Sequence, residues 1–157
     1  MTIINDKYLI DLIDEICCYH ETHNDLHTYK KVINIMDSML DLLEPLDINE
    51  TEIRENGRKA RECGDDEKLI SIRKRLNKTR GDLYNYYKLK LCSRERLGRA
   101  EALRSLLFPY GEDNYSEFSN SMDYFVMNME NAGISSEIIY LKLKGEWECF
   151  KRINNIN

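Results

Sequence analysis

Apolar residues recur every three or four positions along most of this chain, and Gly and Pro are too few to break the pattern often, so it predicts helices throughout. Leu9, Leu12, Ile13, Ile16 and His20 share one face of a first helix predicted over about 6–23, with Asp11, Asp14, Glu15 and Glu21 off it. Asn24 and Asp25 offer a turn or a new cap. Tyr29, Ile33, Met36, Leu40 and Leu43 then stripe a second helix over 26–43, stopped by Pro45 because the residue before a proline resists helical geometry. Asn49 and Glu52 have the spacing of a capping box and open a short helix whose best inward candidates are Ile53, Gly57, Ala60 and Gly64. A face that small predicts either very close packing or a surface position. Gly64 reads as its stop, and Asp65, Asp66 and Glu67 suit the start of the next helix dipole.

From Asp66 to Phe108 only Gly81 and Gly98 weaken the helical pattern. Read in sevens, positions 69, 72, 76, 79, 83 and 86 are Leu, Ile, Leu, Thr, Leu and Tyr. That seam makes Leu69, Ile72, Leu76, Leu83 and Tyr86 the expected self-association face. An unbroken helix here would be about 65 Å long, more than a compact domain of this size is wide. It therefore projects or breaks near Gly81, and the expectation is one long central helix over about 66–108, kinked or continuous. Pro109 closes it, and Asn114 with Glu117 repeats the capping-box spacing before a helix with Phe118, Met122, Phe125, Val126 and Met129 on one side. Gly133 stops that helix, and Ser135 or Ser136 caps a last one striped by Ile139, Leu143, Trp147, Phe150 and Ile153. The class is all-α: a bundle of five or six helices forming a single domain over 1–157.

Charge changes the picture more than composition does. Residues 73–104 hold eleven Lys or Arg against Asp82, Glu95 and Glu101, about +8, in a chain whose net charge is −5. Such a division favours an anionic partner or a second copy of the chain. Arg73, Arg75, Lys78, Arg80, Lys88, Arg94, Arg96 and Arg99 form the candidate basic face, with Tyr84, Tyr86 and Tyr87 interleaved. Cations alternating with stacking rings are what phosphate-backbone and single-strand binders use. Against this, a solvated helix is often rich in Lys and Arg, these cations can neutralise the acidic first helices, and the negative total opposes general DNA affinity.

With 157 residues, 42% hydrophobic and 32% charged, the chain can bury a core without disulfides or metal. Its five cysteines are odd in number, scattered and free of any Cys-x-x-Cys pair, which implies reduced thiols and a cytoplasmic setting. The N-terminal residues lack a signal-peptide pattern, and no apolar run approaches a membrane span. No membrane partner is expected. Plentiful Ile and Asn are in keeping with an AT-rich phage or viral source.

Signals for chemistry are sparse. His20, His23 and His27 follow Cys17 on one stretch, but residues seven apart on a helix are about 10 Å apart, so one ion reaches only an adjacent pair such as His20 and His23. The expectation is no bound metal and no cofactor. Asp11 and Asp14, then Asp41 and Glu44, place paired carboxylates on two successive helices, a spacing loosely similar to the ExxE…ExxD pattern of the all-α nucleoside triphosphate pyrophosphatases. That resemblance implies Mg²⁺-dependent nucleotide hydrolysis. No phosphate loop, Gly-x-Ser-x-Gly elbow or His-Glu-x-x-His motif occurs. An Arg-x4–6-His nuclease motif of the HEPN type is excluded, because every histidine precedes the first arginine, Arg54. Cys17 and Cys18 have no adjacent cation to lower their pKa.

The sequence therefore points to a non-enzymatic interaction or regulatory protein that self-associates and docks a protein partner through its basic face, with Tyr84, Tyr86, Tyr87 and Trp147 as aromatic anchors. Nucleic-acid binding through 73–104 is the alternative, and metal-dependent nucleotide hydrolysis a second.

Overall fold

The computed structural model describes residues 6–23, 26–43, 50–108 and 115–156, with the backbone alone for 115–121. Among them are seven α-helices and one short 3-10 turn: α1 Lys7–Thr22, α2 Leu26–Met39 running into the 3-10 turn Leu40–Leu42, α3 Glu50–Cys63, α4 Asp66–Lys88, α5 Arg94–Arg104, α6 Tyr115–Asn131 and α7 Ser136–Ile153. The all-helical bundle expected from the patterning is present. The expectations resting on Asn24, Asp25, Glu44, Pro45, Asn49, Pro109, Asn114, and the side chains of Glu117 and Phe118, lie outside the described residues.

Side-chain caps fix several helix starts. The Asp6 carboxylate accepts from the amides of Tyr8 (2.9 Å) and Leu9 (3.3 Å), Asp65 from Lys68, Ser93 from Arg96 and Ser135 from Ile138. Each satisfies amide donors that the first turn leaves unpaired. Several ends are equally specific. At Gly64, Lys90, Gly133 and Asn155 the chain turns into the left-handed region, and the amide after each reaches back to a carbonyl five residues earlier.

Lys90 is the corner that the sequence conceals. Its φ is 61°, its amide donates to the Tyr87 carbonyl at 3.0 Å, and the Leu91 amide donates to the Tyr86 carbonyl at 2.8 Å. Helix α4 runs through Gly81 and stops here, so the expected single long helix is instead an antiparallel hairpin, α4 against α5. Arg80 Nη1 meets Glu101 Oε1 at 2.9 Å, and Arg104 Nε donates to Asn77 Oδ1 at 2.7 Å, pairing residues in opposite order along the two helices. A rod would have left the apolar side of α4 in water, whereas the fold-back buries it.

The helices pack as a circuit in which α4 touches α5, α5 touches α6, α6 touches α1, α1 touches α7, α7 touches α2, and α3 closes between α2 and α4. Leu9, Ile16, Val32, Met36, Leu69, Leu76, Phe125, Leu143 and Trp147 are among the side chains that fill the middle. Burying apolar groups of this size contributes about 1.5–3 kcal/mol each. Leu69, Ile72 and Leu76, expected as a self-association seam, belong to this core, and Leu83 packs with Ala100 in a smaller cluster under the hairpin. The seam is taken up by the chain's own helices, which leaves only Tyr86 of that set exposed. Trp147, expected as an anchor for a partner, is also interior: it stacks on Phe150 and donates its Nε1 hydrogen to Glu15. Helix α3 takes the close-packing alternative, since a Cβ at Gly57 would lie 3.0 Å from Leu107 Cδ2.

Candidate functional site

The basic segment folds into two unlike surfaces. Arg73, Arg80 and Arg104 turn towards the root of the hairpin: Arg80 pairs with Glu101, Arg73 donates to the Leu107 carbonyl, and the Arg73 and Arg104 guanidiniums lie 4.2 and 5.4 Å from the Phe108 ring centre. Burial, then the neighbouring Arg80, holds the Arg104 guanidinium below its ordinary pKa. Arg96 and Arg99 are half-buried and engaged. Lys74, Arg75, Lys78 and Lys90 are exposed and make no ion pair with a described residue, while Lys88 and Arg94 are exposed beside tyrosine and asparagine. The basic face of the sequence is thus divided, with Arg75, Lys78, Lys88 and Arg94 outward and Arg73 and Arg80 committed to the fold.

The outward cations border a concentration of apolar surface. Twelve large hydrophobic side chains are exposed among the described residues, and five of them, Tyr84, Tyr86, Tyr87, Leu89 and Leu91, fall within eight consecutive positions. Leu89 and Leu91 are 67% and 73% exposed. Isolated exposed leucines are ordinary, but a cluster at the end of a hairpin is not.

Behind the tip lies a groove of 540 Å³ between α4, α5 and α6. Tyr84 and Tyr87 from α4 and Tyr124 from α6 wall it, Leu97 and Met127 contribute its apolar lining, and Arg94 sits at one side. The width of this groove is set by Gly98, where a Cβ would lie 2.8 Å from the Asn128 carbonyl oxygen and 2.9 Å from the Ala132 amide nitrogen. Only glycine lets α5 approach the α6 backbone so closely. Arg94 Nη2 donates to Asn131 Oδ1 at 2.7 Å, and Asn131 Nδ2 donates to Asn128 Oδ1 at 3.3 Å, so a chain of amides orients the guanidinium without neutralising it. Lys88 Nζ stands 5.4 Å from the Tyr84 ring centre. Sequence reasoning named Tyr84, Lys88 and Arg94, but missed Tyr124, Met127 and Asn131. Their link to the basic segment is a tertiary one, made by Gly98.

The carboxylates considered for metal chemistry are dispersed. Asp41 Oδ1 is 2.9 Å from Arg54 Nη1, Asp11 and Asp14 are exposed on α1, and Glu44 lies outside the described residues. Arg54 also binds Asp37, through Nε at 3.0 Å and through Nη2 to the Asp37 carbonyl at 2.8 Å, and Arg58 adds a contact at 3.3 Å. Burial opposes the Arg54 charge but is outweighed by Asp37 and Asp41, which hold its pKa above the ordinary value. The 370 Å³ recess beside these residues is therefore lined by cations and carboxylates that already satisfy one another. His20 is buried, whereas His23 is exposed and stacks on Tyr19 at 4.0 Å between ring centres, so the two do not share a face. Among the described residues no three His, Cys, Asp or Glu side chains gather as a metal site would require.

No helix among the described residues is long and apolar enough to cross a membrane. The chain matches no protein-family model, no curated protein and no solved structure.

Proposed function

We propose that this chain is a helical interaction module that docks a protein partner through the tip of the α4–α5 hairpin. The observation that carries the reading is the clustering of Tyr84, Tyr86, Tyr87, Leu89 and Leu91 beside Lys88, Lys90 and Arg94. Aromatic and aliphatic anchors ringed by charge are how protein interfaces combine desolvation with specificity. The cations steer an acidic partner, and the apolar tip supplies the burial that retains it.

The nucleic-acid alternative draws support from the same tyrosines and from the outward row Lys74, Arg75, Lys78. Leu89 and Leu91 weigh against it, because a phosphate backbone offers nothing to cover them. Self-association, if the partner is a second copy, uses this tip, since Leu69, Ile72, Leu76 and Leu83 are interior.

Affinity capture from nuclease-treated and untreated lysate tests the reading, comparing the wild type with the double variant Leu89→Ser, Leu91→Ser. A protein retained after nuclease and lost with the variant supports docking, and light scattering identifies a second copy. Capture that disappears with nuclease would assign the surface to nucleic acid instead.

A further inference from the structure

We propose that the groove between α4, α5 and α6 seats an acidic protein segment bearing one aromatic or branched aliphatic side chain, a specification that rests on the docking reading above. Its 540 Å³ lies within the size range of sites that enclose a compact apolar group. Tyr, Met and Arg are enriched at protein interfaces, and Tyr84, Tyr87, Tyr124, Met127 and Arg94 give this groove that composition. Three half-exposed phenol rings present stiff apolar faces that lose little entropy when covered.

Charge selects the occupant. The carboxylate in the lining, Glu101, is already paired with Arg80 at 2.9 Å. Arg94, in the lining, is held by a neutral amide and keeps its positive charge without an ion pair, and Lys88 adds a second cation over the ring of Tyr84, one of the groove's walls. An anchor side chain with carboxylates on either side satisfies the rings and the cations together. A nucleic-acid strand needs a recurring row of phosphate contacts, and the lining provides a single guanidinium. The groove is also preformed, because the contact of Gly98 with the α6 backbone fixes the separation of two of its walls. A preformed seat gives up less free energy on binding than one that must be assembled.

Fluorescence anisotropy with a fluorescein-labelled glutamate-rich peptide carrying one central Phe tests this, beside the same peptide with Ser in place of Phe and a labelled oligo-dT. The Phe peptide should bind at low salt and weaken as salt screens the cations. Replacing Phe by Ser should cost about tenfold in affinity, equivalent to about 1.4 kcal/mol. Tyr124→Ala and Arg94→Glu should each lose a comparable factor, while Leu141→Ser on the outer side of α7 should leave binding unchanged; circular dichroism confirms the fold of every variant. Equal binding of the Phe and Ser peptides, absence of binding, or tighter binding of oligo-dT would overturn the proposal. Should Leu89→Ser, Leu91→Ser abolish lysate capture while Tyr124→Ala does not, the tip docks its partner and the groove inference falls alone.

Discussion

The buried Arg61 side chain of α3 donates from Nη1 to the carbonyl oxygen of Leu106 at 3.1 Å. Arg73 of α4 donates to the next carbonyl, Leu107, and the Tyr29 hydroxyl of α2 to the one after, Phe108. Three helices thus hold three successive carbonyls just past the end of α5, backbone acceptors that lie outside the hydrogen bonding of that helix. Arg61→Ala removes both the donor and a buried aliphatic stem, and should lower stability by on the order of 2 kcal/mol in urea titrations. Burial already pushes the Arg61 guanidinium below its ordinary pKa, so Arg61→Met, which keeps the stem and deletes the charge, should recover part of that loss.

Gly98 and Gly81 should respond in opposite directions to the same substitution. Gly98→Ala drives a methyl group into the α6 backbone and should destabilise by about 1–3 kcal/mol. Gly81 sits inside α4 with nothing within 4 Å of where a Cβ would be, so Gly81→Ala should stabilise by about 0.5–1 kcal/mol. Denaturant midpoints at constant slope check both.

The helical class and most inward faces were legible because a period of three to four apolar residues admits few other readings. Gly64 and Gly133 announced their stops; of the two serines that could cap the last helix it is Ser135 that does so, and Asp65, read only as part of an acidic start, is the cap of α4. The hairpin corner was not legible. Its left-handed residue is a lysine, not a glycine, and the signal that remained was Ser93 capping a first turn that contains Glu95. Reading through that corner turned Leu69, Ile72, Leu76 and Leu83 into an outward seam, when the fold-back gives them partners within the chain. For the groove, Tyr84, Lys88 and Arg94 could be named from their neighbours, whereas Tyr124 and Asn131 are brought in by a contact between helices that no local pattern encodes.

Lys90 holds a positive φ without the freedom glycine has there. Lys90→Gly should therefore raise stability by up to about 1 kcal/mol, seen as a higher melting temperature with an unchanged helical spectrum. Removing the charge should at the same time weaken the salt-sensitive part of partner binding.

Two carboxylates on α6 lie near carboxylates of α1 and of its cap. Burial, then Asp14, raises the Asp123 pKa, and burial, then Asp6, raises that of Glu130. A raised carboxylate binds more protons in the folded than in the unfolded state, so its destabilising effect is complete at neutral pH and is relieved as pH falls through the folded value towards the unfolded one. Asp123→Asn and Glu130→Gln should each raise the melting temperature at neutral pH, with the advantage shrinking as the pH falls into the acid range and the wild-type groups take up protons. An advantage independent of pH would mean that like-charge crowding and burial are not its cause.

The order in which the helices meet also governs how the molecule is made. Helices α1 and α2 find their principal neighbours in α6 and α7, at the far end of the chain, while α3, α4 and α5 can close on one another as soon as they emerge. During synthesis the stripes carrying Leu9, Ile16, Val32 and Met36 must wait uncovered until Phe125, Leu143 and Trp147 leave the ribosome, which makes the N-terminal pair the segment most exposed to chaperones and to premature aggregation.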